Sequence, residues 1–231
     1  MKLNLILVKA QEKKKVVFQI KRMVNGGYCG RNQDEIRKHM EEVKKLGSSE
    51  VFDEIPVFFP VVRDRISLEE EIEVVGNQTS GEGEFALLIG KGRIYVAAAS
   101  DHTDRDLEKK TILKSKQVTP NIFSKEVWDY EEVKDHWDGI LMRAWVKDGG
   151  EKKLYQETRL AALLSPDDLM RIVKERIKGD LEGMAILSGT VSALQGVSGF
   201  SDYFEVELID DVLKRKIGCQ YRVKPIDWIK Y

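Results

Sequence analysis

The stretch Gly81-Glu82-Gly83-Glu84-Phe85-Ala86-Leu87-Leu88-Ile89-Gly90 decides the fold of this chain, because it reads both as a strand and as part of a site. Side chains of a strand alternate between two faces. Phe85, Leu87 and Ile89 take one face, while Glu82, Glu84 and Leu88 take the other, so the strand begins acidic and becomes apolar on both sides. Such a strand belongs inside a protein with cover on each face. Residues i and i+2 on one face lie roughly 6.5–7 Å apart, which lets both carboxylates lean toward one point. Asp101 opens Asp101-His102-Thr103-Asp104-Arg105-Asp106 after the next apolar run and could add a third carboxylate from a neighbouring strand end. Three carboxylates within about 4–5 Å repel by roughly 3–4 kcal/mol per pair at an effective dielectric near 20, which favours a proton or a bound cation. Oxygen-only ligands suit Mg²⁺, Mn²⁺ or Ca²⁺ better than zinc. The competing reading of Glu-x-Glu is surface charge on a solvated strand face.

The chain has 231 residues, enough for one substantial core, and its formal charge of −1 gives no electrostatic reason to expect nucleic acid or an anionic membrane. Cys29 and Cys219 are too few for a disulfide framework and lack metal-ligand spacing, which points to a reducing cytoplasm. No segment approaches the roughly 20 apolar residues that span a bilayer, and the run Leu3 to Val8 is too short for a secretory signal.

The pattern predicts a β-rich α+β fold with a few helices. Residues 1–50 read as an N-terminal hairpin and a lid helix, and residues 51–231 as a catalytic β-rich domain, the two forming one compact unit. A hairpin is expected around Gln11 to Lys14, and a helix over about 33–46 from the spacing of Ile36, Met40, Val43 and Leu46, ending at Gly47. Lys114 to Gln117 reads as loop. A second hairpin is expected across Asp148-Gly149-Gly150, and a helix from Ser165 as N-cap with Pro166 at its first position. Apolar runs at 184–188, 203–209 and 217–223 read as further strands.

His39 and Glu42 sit i, i+3 on the first helix, where the carboxylate could hold the imidazole tautomer and the pair could activate water; a partly buried histidine on an amphipathic helix is the alternative. Ser188-Gly189-Thr190 ends an apolar run, and its amides and hydroxyl could hold a carboxylate or phosphate, or form an ordinary turn. Arg31, Lys116 and Gln156 are single polar residues beside predicted strand ends.

In order, these pieces resemble the fumarylacetoacetate hydrolase superfamily, and more closely a bacterial domain-of-unknown-function branch of it. The likeness runs from about Gly30 to Val223. It rests on Gly30-Arg31-Asn32, His39 to Glu42, Pro56 to Phe59, Glu82 and Glu84 before Ile89-Gly90-Lys91, Asp101 with Thr103, Arg105 and Asp106, Lys116, Gln156 with Thr158, and Ser188-Gly189-Thr190. His39 falls nearly one helical turn later than in the usual arrangement, and His102 stands where relatives carry a small apolar residue.

The resemblance implies a divalent-metal-dependent hydrolase or decarboxylase of a 2-oxo or 1,3-dicarbonyl carboxylic acid, cleaving a carbon–carbon bond with the metal stabilising an enolate. It implies Mg²⁺ or Mn²⁺, with Ca²⁺ able to substitute, on Glu82, Glu84 and Asp101. Catalytic roles fall to His39, Glu42 and Lys116, and substrate binding to Arg31, Gln156 and Thr190. His102 and Arg105 would flank the ligands, with His102 either an alternative base or a structural residue. Layered mixed β-sheets, a β-sandwich roll of the fumarylacetoacetate hydrolase kind, and a homodimer are also implied. Two alternatives stay open: a hydratase or dehydratase of an unsaturated or sugar-derived oxo acid on the same fold, and a non-catalytic, metal-stabilised binding protein.

Overall fold

A computed structural model describes residues 1–9, 12–37, 52 and 54–229. Two sheets carry the fold. The larger has nine strands, in the order Lys13–Gln19, Lys2–Val8, Asn121–Asp129, Arg93–Asp101, Gly83–Gly90, Met184–Leu187, Arg22–Gly27 and Val57–Val61, with Ile66–Ser67 pairing onto Asn121–Asp129. The smaller has five, in the order Glu151–Arg159, Leu141–Asp148, Tyr203–Asp210, Arg215–Pro225 and Glu71–Val74. The N-terminal hairpin is thus the edge of the larger sheet. Parallel and antiparallel pairs both occur, as expected for mixed sheets.

The acidic strand Gly83–Gly90 lies within the larger sheet and is buried along almost its whole length. Its two faces feed two separate cores. Phe85 and Leu87, with Val96 and Trp128, pack against Met142, Val146, Val206, Leu208 and Tyr221 of the smaller sheet. Helix Pro166–Arg176 adds Leu169 and Val173 to this core, and it starts as expected, with Ser165 Oγ accepting from Asp168 N.

The opposite face forms the second core, in which Leu88 and Ala97 meet Leu5, Phe18, Phe123 and Leu187, all from the same sheet. Phe18 stands edge-on to Tyr95 with ring centroids 6.2 Å apart, although two strands separate theirs. Neighbouring strands are spaced about 4.8 Å apart, so a flat sheet would hold these rings near 14 Å. The sheet therefore rolls on itself. Ala86, Ala97, Ala99 and Ala185, all fully buried, keep the concave side thin enough for that closure.

The second expected hairpin forms, with Asp148 opposite Glu151 and a Gly149-Gly150 turn at φ of 59° and 89°. Two successive positive φ values match the twist of a two-residue hairpin and are accessible to glycine. Residues Gln33–Arg37 begin a helix; its expected continuation to Leu46, with His39 and Glu42, lies outside the described residues.

Lys114 to Gln117 departs from expectation, because Ile112–Val118 is a helix rather than a loop. Its buried residues are Ser115 and Lys116, so it has no apolar stripe to betray it and is held by the ion pairs of Lys116. Among the described residues no helix is long and apolar enough to cross a membrane, and Cys29 and Cys219 are buried and free.

Closure of the roll makes a direct prediction. Ala97→Leu inserts volume where nothing can yield and should cost about 1–3 kcal/mol in urea unfolding. An unchanged midpoint would contradict a close-packed concave side.

Candidate metal centre

The acidic residues sit at the mouth of the roll, where the concave side turns from apolar to polar. In the antiparallel hairpin of Gly83–Gly90 with Arg93–Asp101, Glu84 is opposite Ala99 and Gly83 opposite Ser100. Beyond them Glu82 and Asp101 exchange both backbone hydrogen bonds at 3.1 Å, which makes them a directly opposed pair. Period two places Glu82 and Glu84 on the same side as Ala86, and Asp101 on the same side as Ala99. Register alone therefore brings the three carboxyl groups together, and their ligand oxygens lie within 4.8 Å of one another. The small side chain of Ala99, opposite Glu84, leaves space between them.

Both glycines at the site are required by close approach. A Cβ on Gly83 would lie 3.0 Å from Ala144 Cβ and 3.1 Å from Gln156 Oε1. Gly189 has φ +75°, donates its N–H to Glu84 Oε2 at 2.8 Å, and would bring a Cβ within 3.0 Å of Gly26 O. Gln156 ties this turn to the acidic strand: its Oε1 accepts from Gly83 N at 2.9 Å and its Nε2 donates to Thr190 Oγ1 at 2.8 Å and to Val191 O. Thr190 Oγ1 in turn donates to Gly83 O at 2.9 Å.

Two cations face the carboxylates. Lys116 Nζ lies 2.7 Å from Asp101 Oδ2 and 3.0 Å from Glu82 Oε2, and donates to Thr103 Oγ1 at 3.1 Å. Arg105 contacts Glu82 Oε1 and Glu108 Oε2, both at 2.8 Å, and Ser80 Oγ at 2.7 Å. Burial disfavours charge on Glu82, but Lys116 and Arg105 outweigh it and hold its carboxyl at about 2. Burial, reinforced by Asp101 and Glu82, pushes Glu84 well above the usual carboxylate range. Burial also raises Asp101 despite the pull of Lys116. Lys116 is buried too, yet Asp101 and Glu82 raise its pKa and keep it charged.

This donor set fits a hard dication. Four carboxyl groups, Glu82, Glu84, Asp101 and Glu108, face two cations, and Asp101 Oδ1 is buried with no hydrogen-bond partner among the described residues. A doubly charged ion on oxygen ligands would balance that charge.

The other expected site residues separate into groups. Lys116 contacts the triad directly, while Gln156 and Thr190 bond the Gly83 backbone between Glu82 and Glu84. Arg105 bonds Glu82. Arg31 instead engages Asp138 through two contacts of 2.7 Å and the Leu163 carbonyl at 3.1 Å. His102 projects to the face opposite the triad, between the Tyr221 hydroxyl at 3.0 Å and the Thr79 hydroxyl at 2.9 Å. Burial and then Arg105 lower its pKa to about 3, so it stays neutral. With both ring nitrogens engaged, it joins the two sheets and is not placed to act as a base at the triad. His39 and Glu42 lie outside the described residues.

Asn25, Asn121 and Glu108 are site residues the sequence reading missed. Asn25 Nδ2 donates to Asn121 Oδ1 at 2.8 Å, both residues are fully buried, and Asn121 is in register with Asp101. The available signal was a polar residue at each strand end, Asn25 before Gly26-Gly27 and Asn121 after Pro120.

Residues 26–221 match the family described as "Protein of unknown function (DUF2848)". The chain belongs to that family. A domain-of-unknown-function branch is what the motifs had suggested, and the solved structures similar to this member show the fold of fumarylacetoacetate hydrolase and related enzymes. Cg1458 aligns with TM-score 0.65 and 14% identity, over 97% of this chain and 89% of its own. A 2-keto-3-deoxy-D-arabinonate dehydratase complexed with magnesium and 2,5-dioxopentanoate aligns with TM-score 0.62 and 15% identity, over 90% and 74%. The fumarylacetoacetate hydrolase of Exiguobacterium antarcticum aligns with TM-score 0.60 and 17% identity, over 94% and 83%. No curated protein matches the sequence significantly.

The electrostatics of this DUF2848 member predict a pH-dependent metal affinity. Glu84 and Asp101 hold protons above the usual carboxylate range in the metal-free protein, and a metal ligand must be deprotonated. Mn²⁺ binding measured by calorimetry should therefore tighten as pH rises above the ordinary carboxylate range and release protons into the buffer. Affinity independent of pH, with no proton release, would contradict the raised values.

Proposed function

We propose that this protein is a dication-dependent enzyme acting on a 2-oxo or 1,3-dicarbonyl carboxylic acid, and that it cleaves a carbon–carbon bond by hydrolysis or decarboxylation. The observation that carries this reading is the convergence of three carboxyl oxygens within 4.8 Å, two of them from residues only 1% exposed. The magnesium and 2,5-dioxopentanoate bound by the dehydratase neighbour support the same pairing of hard cation and oxo acid here.

Glu82, Glu84 and Asp101 would hold Mg²⁺ or Mn²⁺, which supplies Lewis-acid stabilisation of negative charge developing on the oxo oxygen. The remaining work falls to side chains. Lys116 stays protonated, so it serves as a hydrogen-bond donor to an anionic substrate and not as a base. Thr190, whose hydroxyl accepts from Gln156 and donates to the Gly83 carbonyl, would redirect that donor to a substrate oxygen. Hydrolysis needs a base to activate water, and that role goes to His39 with Glu42. Decarboxylation needs none, because loss of carbon dioxide leaves the negative charge that the site is built to stabilise.

A panel of acylpyruvates, 2-oxo dicarboxylic acids and deoxy sugar-derived oxo acids, assayed with Mg²⁺ or Mn²⁺, tests the proposal. Cleavage of an acylpyruvate or loss of carbon dioxide is expected, abolished by chelator and reduced at least ~100-fold by Glu84→Gln. Dehydration without cleavage would favour the dehydratase alternative. Metal binding with no turnover across the panel would favour a binding protein.

A further inference from the structure

Lys116 already occupies the place for which an incoming dication must compete. Its ammonium lies on Asp101 Oδ2 at 2.7 Å and Glu82 Oε2 at 3.0 Å, and the residue is 5% exposed. Oxygen lone pairs committed to an ammonium are not free for a metal, and a dication among the same oxygens repels that ammonium. A third carboxylate stands nearby. Glu108 Oε1 is 3.8 Å from Lys116 Nζ, beyond hydrogen-bond distance, while its other oxygen accepts from Arg105 at 2.8 Å. Thr103 Oγ1, at 3.1 Å, is already bonded to the same nitrogen. A lysine head on a four-carbon stem can turn between such acceptors, whereas the planar fork of Arg105 is fixed by Ser80, Glu82 and Glu108.

We propose that Lys116 is a built-in surrogate cation: it holds Glu82 and Asp101 together when no dication is bound, and turns to Glu108, keeping Thr103, when one enters. This rests on the metal reading of the triad. In this arrangement Glu108 is a positioning residue whose job is to receive the displaced ammonium, and the competition between the two cations sets metal affinity. The same movement leaves Lys116 as a donor at the edge of the loaded site.

The test is Mn²⁺ affinity, read by calorimetry on the full chain at about pH 8.5, where protons compete least with metal. Wild type, Lys116→Met, Glu108→Gln and the double variant form a cycle. Lys116→Met should bind Mn²⁺ about tenfold tighter or more, because a competing charge is gone. Glu108→Gln alone should bind about tenfold weaker, and in the Lys116→Met background its effect should shrink to about twofold or less. Independent long-range charges would instead give Glu108→Gln the same effect in both backgrounds. An additive cycle, or a Lys116→Met variant that binds no tighter than wild type, overturns the proposal. Should Lys116→Met fail to fold by circular dichroism, Lys116→Gln removes the charge but keeps a donor toward Asp101 and carries the same expectations. Wild-type protein that binds no Mn²⁺ would overturn the metal reading itself, and this inference with it.

Discussion

Like charge held at close range is the constraint on which this structure depends. The paired backbone of Glu82 and Asp101 and the two-residue period to Glu84 leave three carboxyl groups no way to separate. Repulsion between them must be met by a proton, a lysine or a metal ion. All three responses have a place in the surroundings. Glu84 is pushed toward its protonated form, Lys116 bridges the other two, and the buried Oδ1 of Asp101 has an open valence.

The fold serves that constraint. One sheet rolled on itself provides an apolar interior lined by alanines, and the residues that would come next along its strands are the acids and Asn25 and Asn121. Glu84 and Asp101 are thereby fixed to buried strands, and Glu82, one residue before its strand, is held by backbone hydrogen bonds to Asp101. The smaller sheet braces the mouth from outside through Gln156, whose three hydrogen bonds join the Gly83 backbone to the Thr190 turn, and through Tyr221, which meets both Ser100 and His102. Rigidity of this kind keeps the carboxylates close despite their repulsion.

How much of this could be read from the sequence follows from the range of each interaction. The acidic strand was legible because its period of two is local, and so were the Gly149-Gly150 hairpin and the Ser165 cap. The helix Ile112–Val118 was not, since its buried side is Ser115 and Lys116 and its reason for being helical is an ion pair with strands elsewhere in the chain. Asn25 and Asn121 were missed for the same cause, since only strand order and register bring them to the triad, whereas Glu108 arrives on the helix Arg105–Glu108, three residues after the arginine it pairs with. For His102 a base and a structural role were both open in the sequence; it bonds Tyr221 and Thr79, because adjacency to Asp101 along extended chain points the two side chains to opposite faces. Arg31 belongs to the matched motifs, yet its side chain is taken by Asp138.

The most direct test of the account is a crystal structure of the protein soaked with Mn²⁺, using anomalous scattering to locate the ion. The account predicts one strong peak bonded to oxygens of Glu82, Glu84 and Asp101, with the Lys116 ammonium displaced toward Glu108. A triad without a peak, its Lys116 still bridging Glu82 and Asp101 under saturating Mn²⁺, would contradict it.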